Sequence, residues 1–241
     1  MRLRHSTHRL RDPAYDDLVA VFLANVGVNA GHAAHSPLFD DGSFGLLPIP
    51  EPRPWRKPML RLIDLPNLHI HAPRSWRRIA VHLDPDLASD TPTYGDNCRH
   101  AGRAFSLRRA RAGDLIIFLA RLQPARGRAS FYLVGRLDIE DTLEDVTSDP
   151  GSGWWDENAH VRRARATGRW DSFWVFKGAP TSRYLDRAIP FTRPETELIF
   201  GVENTSWPDH RTELQTIGSY TRAVRRMEGP GAAWLQKNSL R

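Results

Sequence analysis

An α+β fold, built on a mixed curved sheet or partial β-barrel with flanking helices, is predicted by three features of the chain. Short apolar runs of β type outnumber stretches of helical periodicity. The clearest pair of runs, 115–122 and 131–140, is joined by a turn-rich loop and so reads as antiparallel, and helical spacing is confined to 209–227.

Residues 17–24, DLVAVFLA, form a buried strand halted by Asn25 and Gly27, after which Asn29-Ala30-Gly31-His32 reads as loop. Between 36 and 58 stand Pro37, Pro48, Pro50, Pro52, Pro54 and Pro58, so that the backbone there must be extended or turning. A second strand is predicted over 78–83, RIAVHL, ending at Asp84-Pro85-Asp86. Gly113-Asp114 opens LIIFLARL at 115–122, and QPARGRAS makes the loop to FYLVGRLDIE at 131–140. Further β runs are predicted at 172–176, SFWVF, and 197–202, ELIFGV. The helix over 209–227 places Leu214, Ile217, Tyr220, Thr221 and Val224 on one side and turns Arg211, Arg222, Arg225 and Arg226 outward.

At 241 residues, with 40% hydrophobic and 26% charged residues, the chain can bury a real core. With no internal repeat or linker tract, 1–241 reads as a single domain. No stretch approaches the roughly 18 apolar residues needed to span a bilayer, and MRLRHSTHRLRDP has no apolar signal core. A cytoplasmic protein without a membrane partner is expected. The single cysteine, Cys98, excludes an intramolecular disulfide and cannot by itself make a thiolate zinc site.

The 34 Lys and Arg against 28 Asp and Glu give a net charge of +6, which favours a polyanionic partner through counterion release. Lysine stands only at Lys57, Lys177 and Lys237, so 31 of those cations are arginine, whose planar fork suits phosphate and base edges. A GC-rich genome produces the same ratio, which leaves the grouping of the arginines to decide. Arg103, Arg108, Arg109 and Arg111 form one group, open to a backbone-tracking role or to ordinary surface charge. From Trp154 to Arg165, continuing to Arg169, Trp170 and Trp174, rings alternate with guanidinium groups, the composition of a surface for single-stranded or flipped bases. Trp174 lies in an apolar run and reads as core, Trp155 as a stacking ring, and Arg162, Arg163 and Arg165 as phosphate contacts.

Carboxylates near a phosphate backbone repel it unless they hold a metal, accept a base edge or act as general base, which singles out Asp84, Asp86 and Asp96, with Tyr94 close by. Aspartates also cap turns, and the residues alone leave both readings open. A metal reading starts from His69-x-His71, whose spacing would put both rings on one strand face, with His32, His35 or His82 as completions. Because the pair lies between Pro66 and Pro73 in a segment that reads as surface loop, no metal and no other cofactor is assigned.

Asn25-Val26-Gly27-Val28-Asn29, Ser36-Pro37-Leu38-Phe39, Asp41-Gly42-Ser43-Phe44 and Leu47-Pro48-Ile49-Pro50-Glu51, strand ends and loops read together, carry a resemblance to the nucleotide modification associated domain 3 family. It continues through His82-Leu83-Asp84-Pro85-Asp86-Leu87, Thr93-Tyr94-Gly95-Asp96, Gly113-Asp114 and Tyr132-Leu133-Val134-Gly135, with weaker likeness at Asn158-Ala159-His160 and Ser182-Arg183-Tyr184-Leu185. One departure is Gly45, where the family pattern places an acid after the phenylalanine. The resemblance implies a role with unusual DNA bases, in phage genomes or bacterial defence and modification systems. Of the site it implies only that polar strand-end residues form one; with the readings above, the catalytic candidates are Asp84, Asp86, Asp96 and Tyr94, and the nucleotide-binding candidates are Asn25, Asn29, Trp155, Asn158, His160, Arg162, Arg163, Arg165 and Arg183.

The Gly113-Asp114 strand is also similar to those of PUA, EVE and ASCH barrels, which hold a modified or flipped base, although a shared fold says little about chemistry. The Asp84-Pro85 strand end is similar to the water-activating segment of uracil-type DNA glycosylases. The expected function is to act on or recognise a modified or to-be-modified nucleobase in DNA. A flipped or single-stranded nucleotide would sit in an acidic-centred pocket with a basic rim, with Asp84 as general base or water-positioning group. The alternatives are a non-catalytic reader that serves a modification or restriction enzyme, and a base-excising glycosylase.

Overall fold

In chain order the elements are β1 (Val21–Val26), β2 (Ser36–Leu38), β3 (Ile49–Pro50), β4 (Val81–His82), β5 (Thr93–Asp96), β6 (Leu115–Pro124) and β7 (Ser130–Val146). They continue with α1 (Ala159–Thr167), β8 (Phe173–Gly178), β9 (Arg183–Phe191), α2 (Arg193–Phe200), α3 (Glu213–Tyr220), β10 (Arg225–Met227) and α4 (Gly229–Asn238). The computed structural model describes residues 19–29, 31–51, 60–65, 67–99 and 102–240. The amino-terminal basic stretch, the start of the first predicted strand at 17–18, prolines 52, 54 and 58, and Pro66 lie outside the described residues.

Among the described residues, an eight-stranded mixed sheet runs β10-β1-β6-β7-β8-β5, with β2 also on β6 and β9 also on β7. The predicted hairpin is present: β6 and β7 are antiparallel, with Leu115 opposite Asp138 and Leu122 opposite Ser130. β1 lies parallel to β6, and the predicted turn at Gly113-Asp114 ties them together, since Asp114 Oδ1 accepts from the Ala20 N–H at 2.9 Å. β8 and β9 pair in succession along β7, Gly178 opposite Ile139 and Arg183 opposite Arg136.

Both faces of the central strands are covered. Phe22, Ile116, Phe118 and Leu137 enter one core, while Leu23, Ile117, Leu119 and Leu133 enter a second together with Ile199, Ile217 and Leu235 from α2, α3 and α4. Strands buried on both sides read as unbroken apolar runs, which accounts for LIIFLARL. The sheet curls, because Tyr94 of β5 packs its ring 5.1 Å from Phe118 of β6, although three strand pairings separate the two strands. Its path ends at β10 and β5, so the predicted mixed curved sheet is present and is not closed into a barrel.

Four local predictions are corrected. The run at 197–202 belongs to α2 and to a 3-10 turn at Val202–Asn204, not to a strand. A capping box sets this helix, with the Thr192 N–H donating to Glu195 Oε2 at 2.8 Å, and only one side is buried, Ile199 against exposed Leu198. The helix predicted over 209–227 stops at Tyr220, because the free edge of β1 captures Arg225–Met227 as β10. The strand predicted over 78–83 shrinks to Val81–His82, whose partner is the two-residue β3. His69 and His71 stand on a 3-10 turn, so the strand-face geometry proposed for them as a metal pair is absent.

Candidate functional site

The segment after β4 runs along the free edge of β5. Asp86 exchanges main-chain hydrogen bonds with Thr93, and the antiparallel register therefore sets Asp84 against Gly95. Both oxygens of Asp84 accept from the Gly95 N–H at 3.0 Å, so a carboxylate satisfies an edge donor that no strand reaches. His82 ends β4, and Asp84 follows it at i+2 in the segment that runs along β5.

His160 arrives from the other side. Asn158, 1% exposed, is the N-cap of α1: its Oδ1 accepts from the His160 N–H at 3.0 Å and its Nδ2 donates to Thr93 Oγ1 at 3.1 Å, pinning the helix start to β5. Gly95 allows the approach, since a Cβ there would lie 2.5 Å from His160 Cδ2.

Two polar networks result. In the first, Glu51 Oε1 and His82 Nδ1 are 3.0 Å apart, His82 Nε2 lies 3.6 Å from Asp84 Oδ2, and His160 Nε2 lies 3.2 Å from that same oxygen. The imidazoles meet edge to face at 4.5 Å, and His160 Nδ1 is buried without a hydrogen-bond partner among the described residues. Burial alone would push His82 down, but the Asp84 and Glu51 carboxylates outweigh it and hold the group up at about 9. His160 is pushed down by burial and by the His82 charge, against the pull of Asp84. Asp84 stays below its ordinary value because the two imidazoles overcome the burial that would raise it, and Glu51 is held down by His82 in the same way. In the second network, the Tyr94 hydroxyl donates to Asp96 Oδ2 at 2.6 Å, and Arg103 donates through Nε to that oxygen at 3.1 Å and through Nη2 to the Asn25 carbonyl at 2.8 Å. Burial, followed by the Asp96 charge, raises the Tyr94 hydroxyl well above its ordinary value.

The two networks line one cavity of about 290 Å³, walled by Val26, Gly27, Ile49 and Pro50 and edged by Arg103 and Arg163. Asp84, Asp96, Tyr94, His160 and Arg163 thus meet there. The other candidates stand elsewhere. Asp86 lines a neighbouring, mainly apolar cavity of about 300 Å³ together with Leu65, Tyr184 and Gly45, the residue that departs from the family pattern. Asn158 positions His160 and is not among the cavity's lining residues. Asn25 offers its main-chain carbonyl to Arg103 and its side chain to Thr221, and exposed Asn29 closes a turn with Gly31. Trp155 packs on Trp154, its Nε1 donating to the Gly151 carbonyl. Arg162 pairs with Glu157, Arg165 with Asp149 and Asp156, and Arg183 donates to the Leu240 carbonyl. Trp174 is buried, as its apolar run predicts, with Arg108 over its ring.

Sequence reasoning missed the union of Glu51, His82 and Arg103 with these groups. The i, i+2 spacing of His82 and Asp84 on a strand end was the available signal.

The model of the family described as nucleotide modification associated domain 3 matches residues 20–233. The chain belongs to that family. The match begins one residue before β1 and ends inside α4, so every residue lining the cavity is a residue of the nucleotide modification associated domain. Comparison with curated proteins and with solved structures gives no match. No helix among the described residues is long and apolar enough to cross a membrane.

Proposed function

We propose that this chain acts on one modified or to-be-modified nucleobase in DNA, held in the cavity centred on Asp84. The observation that carries the reading is the convergence of two buried polar networks and two arginines on a single recess. Its volume of about 290 Å³ sits at the small end of ligand pockets, which suits one flipped or single-stranded nucleotide better than a length of duplex. Val26, Ile49 and Pro50 offer an apolar wall to a base, and Arg103 and Arg163 stand where a sugar-phosphate would leave the recess. Asp84 and the two imidazoles make a polar floor able to order a water, or a polar edge of the base, against the reacting atom. Nucleobase modification and N-glycosidic hydrolysis are the reactions this floor suits. Membership of a family associated with nucleotide modification supports the reading.

The test incubates the purified chain with single- and double-stranded oligonucleotides carrying a panel of modified bases, followed by mass spectrometry of nucleosides and free bases. The expected result is a new nucleoside or released base, reduced about 100-fold or more in Asp84→Asn, the scale of general acid–base contributions. Selective binding of one modified base without product would assign the cavity to a reader. Neither product nor selective binding would refute both.

A further inference from the structure

We infer that His82 Nε2, Asp84 Oδ2 and His160 Nε2 form a binding site for one divalent first-row transition-metal ion. The three atoms come from two separate segments of chain and lie within 4.8 Å of one another. Bond lengths of about 2.0–2.1 Å to nitrogen and oxygen place ligand atoms about 3.0–3.4 Å apart around an octahedral or tetrahedral ion. The observed separations to Asp84 Oδ2 are 3.2 Å for His160 and 3.6 Å for His82. The first falls within that spacing and the second is about 0.2 Å wider, so a small inward movement of the His82 ring would bring both nitrogens to one ion with Asp84.

The donors are also held in place, as a metal site requires. Glu51 fixes His82 through Nδ1, the outer-carboxylate arrangement that orients metal-bound imidazoles. The Gly95 N–H fixes Asp84, while the Asn158 cap and the ring of Phe173, 5.3 Å away, fix His160. All three side chains are buried, yet they line the cavity, so three protein ligands would leave coordination positions facing it. That pattern belongs to reactive metal sites, not to closed structural ones. Two imidazoles favour zinc, iron, cobalt or nickel over magnesium and calcium, which take oxygen ligands. When bound, such an ion acidifies a water or polarises a carbonyl or amine of a substrate. The proposal stands on ligand geometry and does not need a base in the cavity.

The full chain, stripped with a chelator and dialysed, is titrated with Zn²⁺ by calorimetry and with Co²⁺ by visible absorption. One equivalent is expected to bind, with affinity lowered about 100-fold or more in His160→Ala. A drop of about 10–100-fold is expected in Glu51→Gln, which removes only the outer carboxylate. The double variant His69→Ala/His71→Ala should bind as the unaltered chain does. Because substitution in a buried cluster can unfold a protein, the wild type supplies a second measurement: paramagnetic Co²⁺ should displace the ring resonances of His82 and His160 and leave those of His69 and His71 in place. No stoichiometric binding overturns the proposal, as does binding that moves the His69 and His71 resonances instead, or binding indifferent to His160→Ala in a folded variant. Metal binding without action on or selection of any base would remove the base reading and leave this one standing. Base turnover by a chain that binds no stoichiometric metal would overturn this one alone.

Discussion

Gly95 decides more of the site than any ionisable residue, because its N–H holds Asp84 and its missing side chain admits His160. A methyl group there would press to 2.5 Å from His160 Cδ2 and 3.0 Å from Asn158 Oδ1, and both neighbours are buried on a capped helix start. Gly95→Ala is therefore expected to cost about 1–3 kcal/mol of stability, the range of overpacked sites, and to push the His160 ring off Asp84. Chemical denaturation combined with histidine ring resonances checks this; unchanged stability together with an unmoved His160 signal would contradict it.

At the scale of elements, β6 is the strand on which the rest is assembled, paired with β1 on one side and β7 on the other and buried on both faces. Phe118 is 0% exposed and touches the Tyr94 ring, so it joins the central sheet to the strand that carries the site. Phe118→Ala should destabilise the fold by about 3–5 kcal/mol through lost burial and the cavity left behind, measured by urea unfolding. A loss below about 1 kcal/mol would mean that β5 does not lean on β6 as described. The α2 correction also belongs to this scale. ELIFGV is short enough to suit either state, and the Thr192-to-Glu195 box just upstream tips it towards helix.

Across the whole molecule the net charge of +6 is unevenly committed. Arg165 is spent on Asp149, Asp156 and the Gly151 carbonyl, whereas Arg163 edges the cavity and lowers Glu51 through its charge. If the recess takes a nucleotide, Arg163→Ala should weaken oligonucleotide binding and reduce the salt dependence, log K against log salt, by about one. Arg165→Ala should leave that slope unchanged. Fluorescence anisotropy across a salt series separates the two, and the opposite assignment of slopes would move the phosphate path away from the cavity edge.

The sequence by itself determined the α+β class, the central strands β1, β6, β7 and β8, the family and most of the chemistry-bearing residue types. Unbroken apolar runs such as LIIFLARL suit strands covered on both faces, and the Gly-Asp turn and the loop to the next strand register the central pairing locally. Tertiary structure alone decided which of those residues meet. Asp84 and Asp96 share a recess because the chain after β4 follows the open edge of β5, and His160 joins them because Asn158 ties a helix start to Thr93, 65 positions away in sequence. Asp86 and Arg165 have the same residue chemistry as groups that do meet, yet backbone register and ion pairing turn them elsewhere. Spacing along a chain encodes which face a side chain takes within one element, and contacts between elements depend on how their edges and caps are paired in space.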